Sequence, residues 1–298
     1  MRFEKENKLL TEEEYKIHIN DISNEEVPEV LFSVLSKVHG YLESISLLMN
    51  DQQVYKYSMF KVFYKQYNTV LALSKRSEYV FNPQASYMDI KSINILIRSM
   101  HEMYLLYTYL CSTGFFIGAG KCEELEFKSL AYQYSGENDN VRTFKLIKEI
   151  EHNGVFDESA EANAIERKSV IWSKILENDI YKSLPKKVKL ELKKGNWKIS
   201  SKGTLSWADL AKYSHLSKTY GVFEYHNMSL YAHSTFSSLQ LEAGHDEDVD
   251  GLLCHCYILA SVFSISVLGS FDKTIDRDGL ISKRELALVY EFYGMGQR

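Results

Sequence analysis

Proline and glycine are scarce, 3 and 15 in 298 residues. So few chain breakers exclude a fold built from many tight turns and leave helix as the natural reading. Cysteine is scarce as well. The four present, Cys111, Cys122, Cys254 and Cys256, are too few and too irregularly spaced for a disulfide framework or a zinc site. No long alternating run bounded by turn dipeptides competes with helix, and no repeat of fixed period points to a solenoid. The opening residues, MRFEKENK, lack the apolar run of a signal peptide, so the expected compartment is the cytoplasm.

What is present is a balance of 45% hydrophobic and 25% charged residues, typical of a globular protein with a sizeable core. The expected fold is all-α, a multi-helix bundle forming one domain over 1–298 with its core at about 26–270. A Lys-rich surface segment is expected at 182–202 and a helix-loop-helix at 271–298. Helices are predicted near 11–22, 26–49, 52–80, 86–112, 120–135, 138–152, 158–179, 185–194, 206–219, 222–240, 247–270 and 281–293. The helices at 86–112, 222–240 and 247–270 are expected at the centre. Thr11 with Glu14, Ser86 with Asp89 and Ser206 with Asp209 fit the capping-box spacing.

From Gly251 to Phe271 there is no formal charge, and that length could cross a bilayer. Acidic residues flank the run on both sides, Asp246, Glu247, Asp248 and Asp250 before it and Asp272 after it, and no Lys or Arg cluster marks a cytoplasmic end. The expectation is a helix buried among other helices, and no membrane partner.

Two polar stripes interrupt otherwise apolar helices: Asn94, Arg98 and Glu102 in the first, and Tyr225, Ser229 and His233 in the second. Four-residue spacing stacks side chains on one helix face, so each stripe faces a single environment. An unpaired Arg or Glu there would cost several kcal/mol, so the stripes are expected to satisfy one another across a helix interface. The same side chains can do metal-free phosphodiester chemistry. His233 as base would withdraw a proton from a ribose 2′-hydroxyl, and Arg98 would stabilise the charged phosphorane-like transition state. Glu102 would orient either group, with Tyr225 and Ser229 positioning phosphate or water. The competing reading is a buried network that fixes helix register and binds no substrate. His101 and His226, beside the stripes, read as packing or boundary histidines.

The segment Lys182–Lys202 holds eight lysines against the single Glu191, although the whole chain carries a net charge of −5. Lys186, Lys187, Lys189, Lys193 and Lys194 could hold an RNA backbone while Trp197 stacks a base. A solvated connecting segment explains the same composition. Other fragments carry less. GAGK at 118–121 lacks the first glycine of a phosphate loop, where Phe115 stands, and has Cys122 in place of Ser or Thr. Glu149 with His152 and Glu242 with His245 resemble di-iron ligand pairs but lie beside glycines at helix ends. TIDRDGLISKRE at 274–285 approaches a calcium loop through Asp276, Asp278 and Glu285, but Thr274 occupies the first ligand position. A helix-to-helix turn at Gly279 accounts for it equally, and no cofactor is expected.

Arg98-Ser99-Met100-His101-Glu102, then Trp207, then Tyr225, Ser229 and His233-Ser234 carry a family likeness. They resemble an uncharacterised bacterial family with an R-S-x-x-E helix and a later Y-x3-S-x3-H helix, itself similar to the HEPN superfamily. That resemblance implies an HEPN-like helical core with additional helices and a metal-independent endoribonuclease of phage-defence or toxin–antitoxin type. It further implies a homodimer with a shared cleft, and a partner protein in such a system. The chain departs from the R-x4-6-H pattern of active HEPN ribonucleases: Asn227 stands where that Arg would be, and Arg98 would have to act from the other helix. The alternative function is a non-catalytic helical sensor or scaffold.

Overall fold

The computed structural model describes residues 10–150, 158–232, 246–271 and 279–298. Among them the chain is all-α, with 12 α-helices and two short two-stranded ribbons. In order the helices are α1 (Glu12–Asn20), α2 (Val27–Ser44), α3 (Asp51–Leu73), α4 (Ile90–Cys111), α5 (Lys121–Ile150) and α6 (Glu158–Glu177). They continue as α7 (Asp179–Ser183), α8 (Lys186–Lys193), α9 (Trp207–Ala211), α10 (Lys218–Ala232), α11 (Asp246–Gly269) and α12 (Lys283–Gln297). The chain folds as two compact units, one from the residues up to Thr108 together with Leu210–Arg298, the other from Tyr109–Asp209.

In the first unit α11 packs against α2, α3 and α12. This is the charge-free run of the sequence. Val249–Gly269 is long and apolar enough to cross a membrane by length and composition, and most of it is buried inside the unit. Phe263 sits at its centre. Its ring meets Phe60 and Phe63 edge-on at 5.5 and 4.8 Å and tilts against Tyr104 and Tyr107 at 5.7 and 4.8 Å. Such rings each bury a large apolar area and gain further from edge-to-face geometry.

Helix ends follow capping chemistry. Thr11 and Glu14 form the expected box at α1, and Ser206 and Asp209 exchange the same two bonds at α9. Asn50 with Gln53 and Ser282 with Glu285 add two boxes at α3 and α12. The box expected from Ser86 is absent. Asp89 itself precedes α4, accepting from the Ser92 backbone N–H at 2.9 Å, and Ser86 lies in a strand.

Further expectations about elements are corrected, among them the helix expected at 206–219, which stops at Ala211 before α10 begins at Lys218. α3 stops at Leu73 rather than near 80, and the chain then forms an antiparallel ribbon, β1 (Ser77–Tyr79) with β2 (Asn82–Tyr87). Ser74 turns its hydroxyl back to the Leu71 carbonyl at 2.9 Å and closes the helix, while Asn82-Pro83 disfavours continuing it. α5 is one helix where two were expected. A lone Gly136 costs about 1 kcal/mol in a helix, and the buried face Phe127, Ala131, Tyr134, Asn138 and Val141 runs straight across it.

In the second unit α5 packs against α6 and α7, and α8 packs against the ribbon β3 (Ile199–Ser200) with β4 (Gly203–Thr204). A fully buried pair on α5 fixes the segment before it. Lys128 Nζ donates to the Tyr109 carbonyl at 2.6 Å and to the Ser112 carbonyl, and lies 3.6 Å from Glu124. Glu124 accepts from the backbone N–H groups of Gly114 and Phe115, both at 2.9 Å. Carbonyls left open at the end of α4 and amides of the following loop are thereby satisfied. Burial, opposed by Glu124, brings the Lys128 ammonium down to about 8.

Candidate functional site

In the first unit α4 and α10 bring three of the stripe residues together. Arg98 Nε donates to Glu102 Oε1 at 3.1 Å, and Arg98 Nη2 donates to the Tyr225 hydroxyl at 3.2 Å. Tyr225 in turn donates to Glu102 Oε1 at 3.1 Å, closing a triangle. The guanidinium carbon also lies 5.4 Å from the Tyr225 ring centre, a cation–π distance. Burial works against the charge of Arg98, but Tyr225 and Glu102 outweigh it and its pKa rises. Burial likewise raises the Tyr225 phenol, with Glu102 adding and Arg98 opposing. Among the described residues Arg98 Nη1 takes no hydrogen-bond partner.

The other stripe residues behave differently. Asn94 is buried, gives Nδ2 to the Ile90 carbonyl of its own helix at 3.1 Å, and leaves Oδ1 without a partner. Ser229 returns its hydroxyl to the Tyr225 carbonyl at 2.7 Å. His233 lies outside the described residues.

A second polar chain lies beside the triangle. His101, on α4 between Arg98 and Glu102, is fully buried and places Nδ1 3.2 Å from Nε2 of His255 on α11. His255 Nδ1 lies 2.8 Å from the Tyr220 hydroxyl on α10. The His101 ring also meets the Tyr225 ring edge-on at 6.0 Å. Burial lowers the His101 imidazolium to about 3, and burial together with His101 lowers that of His255. Both rings are therefore neutral near pH 7 and share one N–H between them. Nε2 of His101 is buried without a partner. His101 thus packs as expected, and His226 is exposed on α10.

Sequence reasoning missed His255 and Tyr220. A signal was there: a histidine inside a charge-free helical run must find a hydrogen-bond partner once buried.

Of the calcium-loop carboxylates only Glu285 lies among the described residues; Asp276 and Asp278 lie outside them. Both oxygens of Glu285 are engaged, by Lys37 at 2.8 and 2.7 Å, Ser33 at 2.7 Å and the Ser282 cap. Among the described residues no group of three or more His, Cys, Asp or Glu side chains is arranged to hold a metal ion. His152, Glu242 and His245 lie outside the described residues. A cavity of about 430 Å³ is lined by Glu29, Phe32, Asn68, Leu71, Ala72 and Lys75, and so does not involve Arg98.

In the second unit Lys186, Lys187, Lys193 and Lys194 are exposed on or just after α8. Lys194 pairs with Glu191 at 2.7 Å, and Lys189 donates to the Lys182 carbonyl at 2.8 Å while lying 5.1 Å from the Tyr181 ring centre. Trp197 is half-buried. Its ring packs against Tyr109, Tyr132 and Trp207 at 5.5, 5.4 and 5.9 Å, with Lys198 Nζ 5.4 Å from its centre. The indole thus packs edge-on or tilted against three rings of its own unit.

Searches of curated proteins and of solved structures find no match. A family of unknown function, DUF5677, matches residues 57–251, a span that includes Arg98, Glu102, Tyr225, Ser229 and most of the lysines above. With more than half of its length matched, the chain belongs to the DUF5677 family.

Proposed function

We propose that this protein is an HEPN-like, metal-independent endoribonuclease that acts in the cytoplasm as a homodimer within a phage-defence or toxin system. The observation that carries the reading is Arg98, a guanidinium held by Glu102 and Tyr225 whose Nη1 takes no partner among the described residues. Such a preorganised cation stabilises charge that develops on a phosphoryl oxygen without reorganising at the moment of reaction. In this scheme His233 removes the ribose 2′-hydroxyl proton, that oxygen attacks the adjacent phosphorus, and the 5′-oxygen leaves. Glu102 and Tyr225 are positioning residues, since they act through Arg98. RNA is held by the lysines of the second unit.

The triangle also favours a second reading. Arg98, Glu102 and Tyr225 satisfy one another, as a non-catalytic sensor or scaffold would require to fix α4 against α10. Incubating purified protein with a labelled RNA pool in EDTA, beside His233→Ala and Arg98→Ala, separates the two. Cleavage lost in both folded variants supports the ribonuclease. Intact RNA with wild type, together with melting lowered by several degrees in Arg98→Ala, supports the scaffold.

A further inference from the structure

Outside the stripes, the second unit gathers cations around one buried amide. Tyr134, Asn138 and Arg142 recur at four-residue spacing on α5, and Lys145 follows within a turn, so all four share a face. Asn138 is buried. Its Oδ1 accepts from Lys168 Nζ of α6 at 2.7 Å, and its Nδ2 donates to the Lys194 carbonyl at 3.2 Å. Arg142 Nη2 donates to that same carbonyl at 3.1 Å. Lys168 is therefore bound to Asn138 directly, and Arg142 shares the Lys194 carbonyl with it. Burial lowers the Lys168 pKa, and the charges of Lys145 and Arg142 lower it further.

Acidic groups nearby do little to offset this. Asp139 approaches Arg142 at 3.5 Å, but both side chains are well exposed, and such pairs contribute little. Glu137 is bound to Arg167 at 2.7 Å. Lys168 thus faces the like charges of Lys145 and Arg142, and an anion seated among the three would relieve that repulsion.

Aromatic rings continue the strip. Lys168 Nζ lies 5.7 Å from the Tyr134 ring centre, and Tyr134 packs on Trp172, one turn along α6 from Lys168, at 4.8 Å. Trp172 meets Tyr181 at 5.7 Å, and Lys189 lies over Tyr181 at 5.1 Å. Cations for a backbone beside an aromatic surface for bases are the pattern of single-strand recognition. Every base of a single strand presents a planar face to Trp172, whereas an acidic peptide offers a ring only where it carries an aromatic residue.

We infer that Arg142, Lys145 and Lys168 form a phosphodiester-binding site for single-stranded RNA, with a base stacked on Trp172. The inference takes its substrate class from the ribonuclease reading and assigns the grip to α5 and α6, where Trp172 stands one turn from Lys168.

The test is fluorescence polarisation of full-length protein with a labelled single-stranded 2′-O-methyl RNA, which binds but cannot be cut through its 2′-oxygen. In Arg142→Gln/Lys145→Gln/Lys168→Gln, affinity should fall at least tenfold and the slope of log Kd against log salt should drop by about 2. Trp172→Leu should weaken binding about tenfold with the slope unchanged. A triple variant that binds like wild type with the same slope overturns the inference, as does polyglutamate binding where RNA does not. If the triple variant fails to fold, Lys145→Glu answers instead, because Lys145 is exposed. It should weaken binding, and unchanged affinity would count against the site. Wild type that binds RNA but leaves the unmodified strand uncut refutes only the ribonuclease, and cleavage persisting in a triple variant with unchanged binding refutes only this site.

Discussion

His101 and His255 face each other across α4 and α11 with Nδ1 and Nε2 3.2 Å apart, two buried neutral imidazoles in one chain with Tyr220. The folded state disfavours protonating either ring, whereas the unfolded chain protonates both below the ordinary histidine value of 6.5. Between that value and the lowered folded ones, the unfolded state binds more protons. Stability from the pair is therefore complete above pH 6.5 and is lost as pH falls below it.

Each imidazole should contribute about 1.4 kcal/mol of lost stability per pH unit in that window. Chemical denaturation of wild type and His255→Leu across pH 5 to 7 checks this. The variant is expected to show a shallower pH dependence, by roughly one histidine's share. Identical slopes would mean that the pair titrates normally.

Lys128→Ala should be among the most damaging single changes in the second unit. It strips the donor from the Tyr109 and Ser112 carbonyls and leaves Glu124 buried without its cation. A loss of about 3–5 kcal/mol is expected, read as a lowered denaturation midpoint. A loss under about 1 kcal/mol, the scale of an exposed pair, would contradict the buried arrangement.

Tyr225→Phe keeps the ring beside Arg98 but removes the hydroxyl that joins Arg98 to Glu102. A cost of about 1–2 kcal/mol is expected. In a double-mutant cycle with Glu102→Gln, the two effects should be smaller together than their sum, because they break the same triangle. Strict additivity would show that the hydroxyl and the carboxylate act separately.

Much of the first site was legible because helical spacing is a strong signal. The four-residue step from Arg98 to Glu102 placed both on one face, and the cost of burying them unpaired demanded a partner, which Tyr225 supplies. Asn94 followed the same spacing yet bonds to its own helix, since a short amide can reach the carbonyl four residues back. His255 was hidden because it lies in a run whose apolar character dominates any hydropathy reading. Lys128 was hidden for a different reason: its spacing from Glu124 reads as an ordinary surface pair, and its other partners are backbone carbonyls of another segment. The ribbon after α3 was missed because β1 is only three residues long, too short to show alternation.

The central claim is cleavage that uses the ribose 2′-hydroxyl and Arg98 without metal. The most direct measurement compares an RNA with the same sequence fully 2′-O-methylated, both in EDTA, with wild type and Arg98→Ala. The account predicts that wild type cuts only the unmodified RNA, leaving 2′,3′-cyclic phosphate ends, and that Arg98→Ala, folded by circular dichroism, cuts neither. Cleavage of the methylated strand, or undiminished cleavage by Arg98→Ala, would contradict it.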